Sequence, residues 1–176
     1  MSQEIIQFRL LKEDRNPVLD HKGITYILVN KTNFTSYSDR LLNISSLMKK
    51  DIDWDQIPDT KEILRNRVDS NSECLLFSYN GYDIGWHWVN DNVCIDWINI
   101  DKRLNDNEGY NGGAYVTRQL ERPPSAGEVV YHFTWSYLLD YKNKDTVYHY
   151  CDEWNRATSI FSYRYGFKQY NFLNDN

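Results

Sequence analysis

The apolar positions of the chain follow two periods, one typical of strands and one typical of helices. Short runs rich in β-branched and apolar residues predict strands at residues 4–10, 24–30, 146–150 and 167–172. Apolar residues that recur near helical spacing predict helices at residues 37–50, from 59 or 60 to 68, 126–141 and 154–165. This mixture predicts an α+β fold.

Residues 74–100 alternate between apolar and polar positions. Asn80-Gly81 separates the first two runs, and this dipeptide is a strong hairpin signal because a type I′ turn needs positive φ at both central residues. A second turn at 90–92 leads into a third run, so we predict a three-stranded antiparallel meander. The polar, turn-rich residues 101–112 predict a loop, and residues 114–120 return to extended character.

The segment 122–128, RPPSAGE, lies between a predicted strand and a long predicted helix. Ser125, Ala126 and Gly127 would present backbone N–H groups at the helix start, where the helix dipole favours an anion. A phosphate site is therefore predicted here, although an ordinary N-cap at Ser125 explains the same residues. The charge of Glu128 opposes a phosphate at this place.

The segment 155–167, NRATSIFSYRYGF, predicts a helix with well-formed ends. Asn155 can cap its start, and Gly166 can take the left-handed conformation that ends it before Phe167 returns to the core.

An R-x-x-S-x-G loop that opens a helix, then a strand, then Asn155 followed eleven residues later by Gly166-Phe167, resembles the acetyl-CoA-binding half of the GNAT acyltransferase superfamily. The resemblance covers about residues 74–173. It implies one domain over residues 1–176, with a mixed, mostly antiparallel twisted sheet of about seven strands flanked by helices.

The resemblance also implies that the co-substrate is an acyl-CoA, either acetyl-CoA or a longer one, bound without a metal. It places the thioester beside main-chain N–H groups of the strand 114–120. The positions implied to bind the cofactor are Tyr115, Val116, Thr117, Arg122, Ser125, Ala126, Gly127 and Asn155.

Two positions depart from the family pattern. Ser125 stands where the first loop glycine is usual, and Ser162 stands where many members carry a tyrosine acid. Tyr163 lies one place further on, about 100° around the helix. Protonation of the leaving thiolate is therefore open between Ser162, Tyr163 and a water, and a non-catalytic interaction module is an alternative function.

An acceptor ammonium must lose a proton before it can attack a thioester. The candidate bases are Asp96 and His132, with His87 next, and a satisfied structural role is the alternative for each of them. Asn90 at a strand end and Thr60 at a helix start are predicted to position the amine or a water, although a turn residue and an N-cap explain them as well.

The acceptor predicted from the sequence is the amine of a nucleotide-linked amino sugar. The faces of Trp86 and Trp88 offer stacking surface for a sugar ring or a nucleobase, and the chain broadly resembles atypical GNAT members that acylate such sugars. Alternative acceptors are an antibiotic amine or polyamine, and a protein N-terminus or lysine.

Composition and charge exclude several other classes of protein. With 41% hydrophobic and 15% aromatic residues the chain is not disordered, and its net charge of -5 provides no basic surface for nucleic acid. Three widely spaced cysteines in apolar runs predict reduced core thiols, and the Cys and His spacing predicts no metal site. We expect cytoplasmic residence without membrane association, since neither a signal peptide nor a bilayer-length apolar run is visible. The aromatic content predicts a homodimer.

Overall fold

The fold combines strands and helices. The structure is a computed structural model that describes residues 5–17, 19–52, 59–90, 92–95 and 100–171. Within these residues the strands are β1 Ile5–Leu11, β2 Thr25–Val29, β3 Glu73–Tyr79, β4 Tyr82–Asn90, β5 Asn92–Ile95, β6 Ile100–Arg103, β7 Glu108–Val116, β8 Thr146–Asp152 and β9 Lys168–Gln169.

Four α-helices accompany the strands in the described part of the chain. They are α1 Phe34–Ile52, α2 Lys61–Asp69, α3 Ala126–Ser136 and α4 Arg156–Tyr165. A π-helical turn, Tyr137–Tyr141, continues α3. All four helices predicted from the apolar spacing are confirmed, with ends that differ by a few residues.

Seven strands form one sheet in the order β2-β3-β4-β7-β8-β1-β9. The register is antiparallel for β1–β8, β1–β9, β2–β3 and β3–β4, and parallel for β7–β8. The predicted mixed, mostly antiparallel sheet is confirmed. Strands β5 and β6 pair with each other in a separate two-stranded sheet.

Two predictions about the middle of the chain are wrong. Residues 101–112 were expected to form a loop, but they contain the end of β6 and the first half of β7. The third strand of the expected meander, β5, does not join the main sheet, where the neighbour of β4 is β7. The partners of β7 decide both cases, and local sequence carries no record of partner strands that lie about 30 to 40 residues away.

The chain divides into two compact units. Unit 1 comprises Met1–Leu19, Asn90–Gly112 and Tyr131–Asn176, and unit 2 comprises Asp20–Val89 and Gly113–Val130. Strand β7 and helix α3 each contribute residues to both units.

The core of unit 2 is built from one face of α1 and α2 and from strands β2 to β4. In α1, Phe34, Leu41 and Ile44 are fully buried, and in α2 Leu64 and Val68 are buried four residues apart. This spacing is the helical period from which both helices were predicted.

The turn between β3 and β4 has the conformation that its sequence predicts. Asn80 has φ 48° and Gly81 has φ 81°, so both central residues are left-handed, as a type I′ turn requires. The hairpin at this position is confirmed.

Close approach of β4 to β7 depends on a glycine. A Cβ atom at Gly85 would overlap the carbonyl oxygen of Tyr115 and would lie 2.9 Å from the Cα of Val116. No side chain fits there without moving backbone, so Gly85 sets the distance between the two strands.

A buried polar chain joins three elements of unit 1. The Trp135 indole N–H of α3 donates to Asn111 Oδ1 at 2.8 Å, and Asn111 Nδ2 of β7 lies 3.0 Å from His149 Nδ1 of β8. Trp135 and Asn111 are fully buried, and His149 is 2% exposed. Because an indole N–H can only donate, Asn111 accepts through its oxygen and donates through its nitrogen, which places the imidazole proton on Nε2.

His149 is held as a neutral group. Aromatic rings of Phe8, Tyr131, Trp135 and Phe167 surround it at centroid distances of 5.6–6.0 Å. Burial among these rings lowers the pKa of His149 to about 3.

We expect the stability of the fold to fall as the pH decreases from about 6.5, the pKa of an unfolded histidine, towards about 3. In this window the unfolded chain binds a proton at His149 and the folded chain does not. The free energy of unfolding should therefore decrease by roughly 1 kcal/mol per pH unit, and this contribution is complete above pH 6.5. Urea denaturation at pH 7, 6 and 5 measures the slope.

The variant His149→Gln isolates this contribution, because an amide does not titrate. Its free energy of unfolding should depend less steeply on pH between 7 and 5 than that of the wild type. Equal slopes would contradict a buried neutral imidazole at this position.

Candidate functional site

The segment between β7 and α3 forms a tight turn in unit 2. Pro123 is buried, whereas Pro124 and Ser125 are exposed. Within the turn, Ala126 N donates to Pro123 O at 3.1 Å, and Val129 N donates to Ser125 O at 3.0 Å.

These bonds decide which amides are available to a ligand. The prediction that Ala126 presents a free N–H is wrong, because this group closes the turn on Pro123. The N–H groups of Ser125 and Gly127 have no acceptor among the described residues. Two amides thus remain at the start of α3, where the positive end of the helix dipole also lies.

Ser125 adopts a backbone conformation that favours glycine. Its φ is 65°, in the left-handed region. For a residue with a Cβ atom this conformation costs about 1–2 kcal/mol. Glycine would carry no such strain, and glycine is the residue that the family pattern implied by the resemblance has at this position. A left-handed residue followed by helical residues is also the geometry in which successive N–H groups form a concave anion site.

The first turn of α3 carries a carboxylate beside these amides. Glu128 is buried, with 6% of its surface exposed. The helix dipole stabilises its negative charge as it would stabilise an anionic ligand. The same charge repels an anionic ligand bound nearby.

The backbone of β7 presents its N–H groups to alternate edges. Just after the strand, Thr117 N donates to Ile84 O of β4 at 2.8 Å. Because successive amides of an extended chain point in opposite directions, the N–H of Val116 points to the edge away from β4. The parallel register with β8 ends at the pair Asn111 and His149, before Val116 is reached.

A half-buried carboxylate at the end of α1 binds the end of β7. Asp51 Oδ2 accepts from Tyr115 Oη at 2.5 Å, from Thr117 Oγ1 at 3.0 Å and from Arg118 N at 2.7 Å. Burial opposes ionisation of Asp51, but hydrogen bonds from Tyr115, Arg118, Gln119 and Thr117 outweigh it and lower the pKa of the carboxyl group. Burial together with the bond to Asp51 raises the pKa of the Tyr115 phenol.

Sequence reasoning did not find Asp51, and it did not find the pair Asn111 and His149. Asp51 lies 64 residues before Tyr115 in the chain. One local signal was present, since an aspartate in the last turn of a helix opposes the helix dipole and needs compensation elsewhere.

The residues predicted on α4 have helix-internal roles in unit 1. The Asn155 side chain caps the helix by accepting from Thr158 N at 3.3 Å. Ser162 is fully buried and donates to Thr158 O at 2.9 Å. Of the three alternatives for the acid, this geometry does not favour Ser162, because its hydroxyl is enclosed and bonded to its own helix. Tyr163 is 51% exposed.

The predicted base and positioning residues are spread over both units. In unit 1, His132 is 3% exposed, packs on Trp135 and Tyr165, and accepts from Leu19 N at 3.5 Å through Nδ1. These contacts give its ring a core position. Asn90 Oδ1 is buried without a partner among the described residues.

In unit 2, Thr60 caps α2 by accepting from Ile63 N at 3.2 Å, as its alternative structural role predicted. His87 is fully buried. Asp96 lies outside the described residues. Arg122 is half-buried in the turn segment.

The prediction that Trp86 and Trp88 offer stacking surface to a substrate is wrong. Trp86 and Trp88 are 2% and 3% exposed and belong to the core of unit 2, where their rings meet at 6.0 Å. Arg67 lies over the Trp88 ring at 5.3 Å. Strand β4 is covered on both faces, so its alternation does not leave these rings open to a sugar. The indole N–H of Trp88 is buried without a partner among the described residues.

The cysteines match their predicted role where they are described. Cys74 and Cys151 are buried free thiols, and burial raises the pKa of both. The side chain of Cys94 lies outside the described residues. In the described part of the chain, no cluster of three or more Cys, His, Asp and Glu side chains could hold a metal ion. None of the described helices combines the length and apolar character that a membrane span needs.

Comparison with known proteins identifies the fold through structure rather than sequence. No family model matches the chain, and no curated protein matches it. A tandem GNAT protein from the clavulanic acid biosynthesis pathway has a TM-score of 0.63 at 14% identity, covering 96% of this chain and 50% of that chain.

Two shorter solved structures are also similar. An aminoglycoside acetyltransferase from an uncultured soil metagenomic sample has a TM-score of 0.52 at 12% identity, covering 81% of this chain and 87% of that chain. A ribosomal-protein-alanine N-acetyltransferase from Brucella melitensis biovar Abortus has a TM-score of 0.52 at 9% identity, covering 78% of this chain and 86% of that chain.

Several of the matched structures are much longer than this chain, which spans 48% to 62% of the first five. Several of the matched structures are described as GNAT proteins or as acetyltransferases of the GNAT family. The expected fold is therefore confirmed by the arrangement of strands and helices, and the chain has the GNAT fold.

Proposed function

We propose that the protein is an acyl-CoA-dependent N-acyltransferase that acts on a small-molecule amine. The observation that carries the proposal is the turn before α3, where left-handed Ser125 precedes a helix start and the N–H groups of Ser125 and Gly127 have no acceptor among the described residues. Such a turn suits the diphosphate of coenzyme A. Arg122 in the same segment supplies a positive charge.

The proposed reaction is direct transfer. The amine nitrogen forms a bond to the thioester carbonyl carbon, and the bond from that carbon to sulfur breaks. The N–H of Val116, on the edge of β7 away from β4, is the proposed donor that polarises the carbonyl oxygen. One proton leaves the ammonium before attack, a second leaves the nitrogen during acyl transfer, and the departing thiolate takes up one proton.

Ser162 is enclosed, so the acid is Tyr163 or a water. Asp96 stays the predicted base because the core positions of His132 and His87 do not favour them. Asn90, whose side-chain oxygen is buried without a described partner, stays a predicted positioning group.

The acceptor class is a separate proposal. A nucleotide-linked amino sugar is the acceptor that we propose first; Trp86 and Trp88 are buried and do not provide its stacking surface. Antibiotic and polyamine amines and protein amines are the alternatives, and similar folds occur in an aminoglycoside acetyltransferase and a ribosomal-protein-alanine N-acetyltransferase. A cytoplasmic homodimer stays the predicted state.

We expect the protein to release free thiol from acetyl-CoA or a longer acyl-CoA in the presence of one class of amine. A thiol-reactive dye follows the reaction across nucleotide-linked amino sugars, aminoglycosides, polyamines and peptides with free N-termini. Mass spectrometry of the product identifies the acylated nitrogen. Absence of coenzyme A binding in calorimetry would overturn the proposed function, and binding without turnover would favour the interaction module.

The variant Gly127→Glu should weaken coenzyme A binding by about tenfold or more, because a negative charge at the helix start repels the diphosphate. Gly127→Ala is the matched control, since it adds a Cβ atom without charge and favours the helix. Calorimetry measures both affinities, and a thermal melt checks folding. Equal affinities for the two variants would show that the anion does not bind at this turn.

Ser125 provides a test of the turn conformation itself. Ser125→Gly should stabilise the protein or leave its stability unchanged, since glycine takes positive φ without strain. Ser125→Val should destabilise it by about 1 kcal/mol or more, because a β-branched residue is disfavoured there. Urea denaturation compares the two variants, and the opposite order would contradict the left-handed conformation.

A further inference from the structure

Three hydrogen bonds converge on one oxygen atom at the end of α1. The donors to Asp51 Oδ2 are the Tyr115 hydroxyl, the Thr117 hydroxyl and the Arg118 N–H, at 2.5, 3.0 and 2.7 Å. Thr117 Oγ1 accepts in turn from Gln119 N at 3.1 Å. We call this set of contacts the Asp51 latch.

The position of Asp51 is unfavourable for the helix that carries it. The last turn of α1 also contains Lys49 and Lys50, which suit the negative end of the helix dipole, whereas an aspartate there opposes it. The donors from the end of β7 compensate for this. They also satisfy an ionised carboxylate, because each of them offers a hydrogen to it.

The two side chains that bind Asp51 in the latch come from the residues before and after Val116. Tyr115 and Thr117 are two positions apart, so their side chains lie on the same face of the extended chain, where Asp51 meets both. Val116 lies between them with its side chain on the other face. Both peptide neighbours of Val116 are therefore anchored to the same oxygen atom.

The amides that follow are fixed as well. Thr117 N binds Ile84 O, Arg118 N binds Asp51, and Gln119 N binds Thr117 Oγ1. Three successive N–H groups are thus committed to protein acceptors. The direction of the Val116 N–H, and the start of the segment that leads to the turn at 123–127, follow from these anchors.

We infer that Asp51 is a positioning residue for acyl transfer, holding Tyr115 and Thr117 so that the Val116 amide keeps the direction needed to bind the thioester carbonyl. This inference rests on the proposed function for its catalytic meaning. The latch itself is a property of unit 2 and can be tested without any substrate.

The test compares Asp51→Ala with Asp39→Ala. Both changes remove one carboxylate from α1, but the Asp39 side chain is 90% exposed and contacts only the exposed Lys61, at 3.5 Å, in the described structure. Hydrogen exchange by NMR should show the amides of Arg118 and Gln119 exchanging about tenfold faster or more in Asp51→Ala, because their acceptors are removed or displaced. Their rates in Asp39→Ala should equal those of the wild type.

Kinetics then separate positioning from general stability. With the acceptor identified by the amine panel, Asp51→Ala should lower kcat by about tenfold or more and change the KM for acyl-CoA much less, since the Val116 amide acts on the carbonyl during transfer. Asp39→Ala should keep the wild-type kcat. Asp51→Asn keeps the shape and one acceptor oxygen, so its kcat should lie between the two, and it serves as the test if Asp51→Ala does not fold.

Each outcome has a distinct meaning. Unchanged exchange at Arg118 and Gln119 in both Asp51 variants would overturn the latch. Faster exchange with unchanged kcat would overturn the positioning role while leaving the contacts intact. A wild type that neither binds coenzyme A nor releases thiol would overturn the proposed function, and the exchange result would still decide whether Asp51 holds the end of β7.

Discussion

Strand β7 has to satisfy its backbone on two edges with different partners along its length. Its first residues, Glu108–Asn111, pair in parallel with Thr146–His149 of β8, and its far end lies against β4, where Thr117 N binds Ile84 O. Gly85 permits this second approach because glycine has no Cβ atom, and a Cβ atom would not fit there. These contacts fix the end of β7, and with it the position from which the chain continues to the turn before α3.

Polar contacts secure the two ends of β7 by different physical means. Near its start, Asn111 belongs to a fully buried chain with Trp135 and His149, in which all groups are neutral and burial keeps the imidazole so. At its end, Asp51 is half-buried and ionised, and several donors lower its pKa. A neutral chain suits a dry core, whereas a carboxylate needs many donors or water.

The departures from the family pattern differ in their consequences. Ser125 keeps the left-handed backbone of a glycine position, so the turn retains its shape at the expense of local strain. Ser162, by contrast, is buried and donates its hydroxyl hydrogen to Thr158 O of its own helix. The first departure therefore leaves two amides at the turn without an acceptor among the described residues, whereas the second leaves a hydroxyl engaged within its helix.

The sequence by itself determined the features that depend on near neighbours. The helices over 34–52, 61–69 and 126–136, the Asn80-Gly81 turn, and the caps at Thr60, Asn155 and Gly166 follow from side-chain period and from the φ angles that particular residues tolerate. The loop and helix motifs also indicated the GNAT fold. These features are local because they satisfy hydrogen bonds within a few residues.

Only the tertiary structure decided which strand lies beside β4, that Trp86 and Trp88 are covered, and that Asp51 meets Tyr115 and Thr117. Sheet pairing and burial depend on residues that are distant in the chain. Alternation along β4 cannot show that both of its faces are covered, and a carboxylate at a helix end cannot reveal donors 64 residues away. Contacts of this kind form only when segments that are distant in the sequence pack together, because each contact needs groups from both segments.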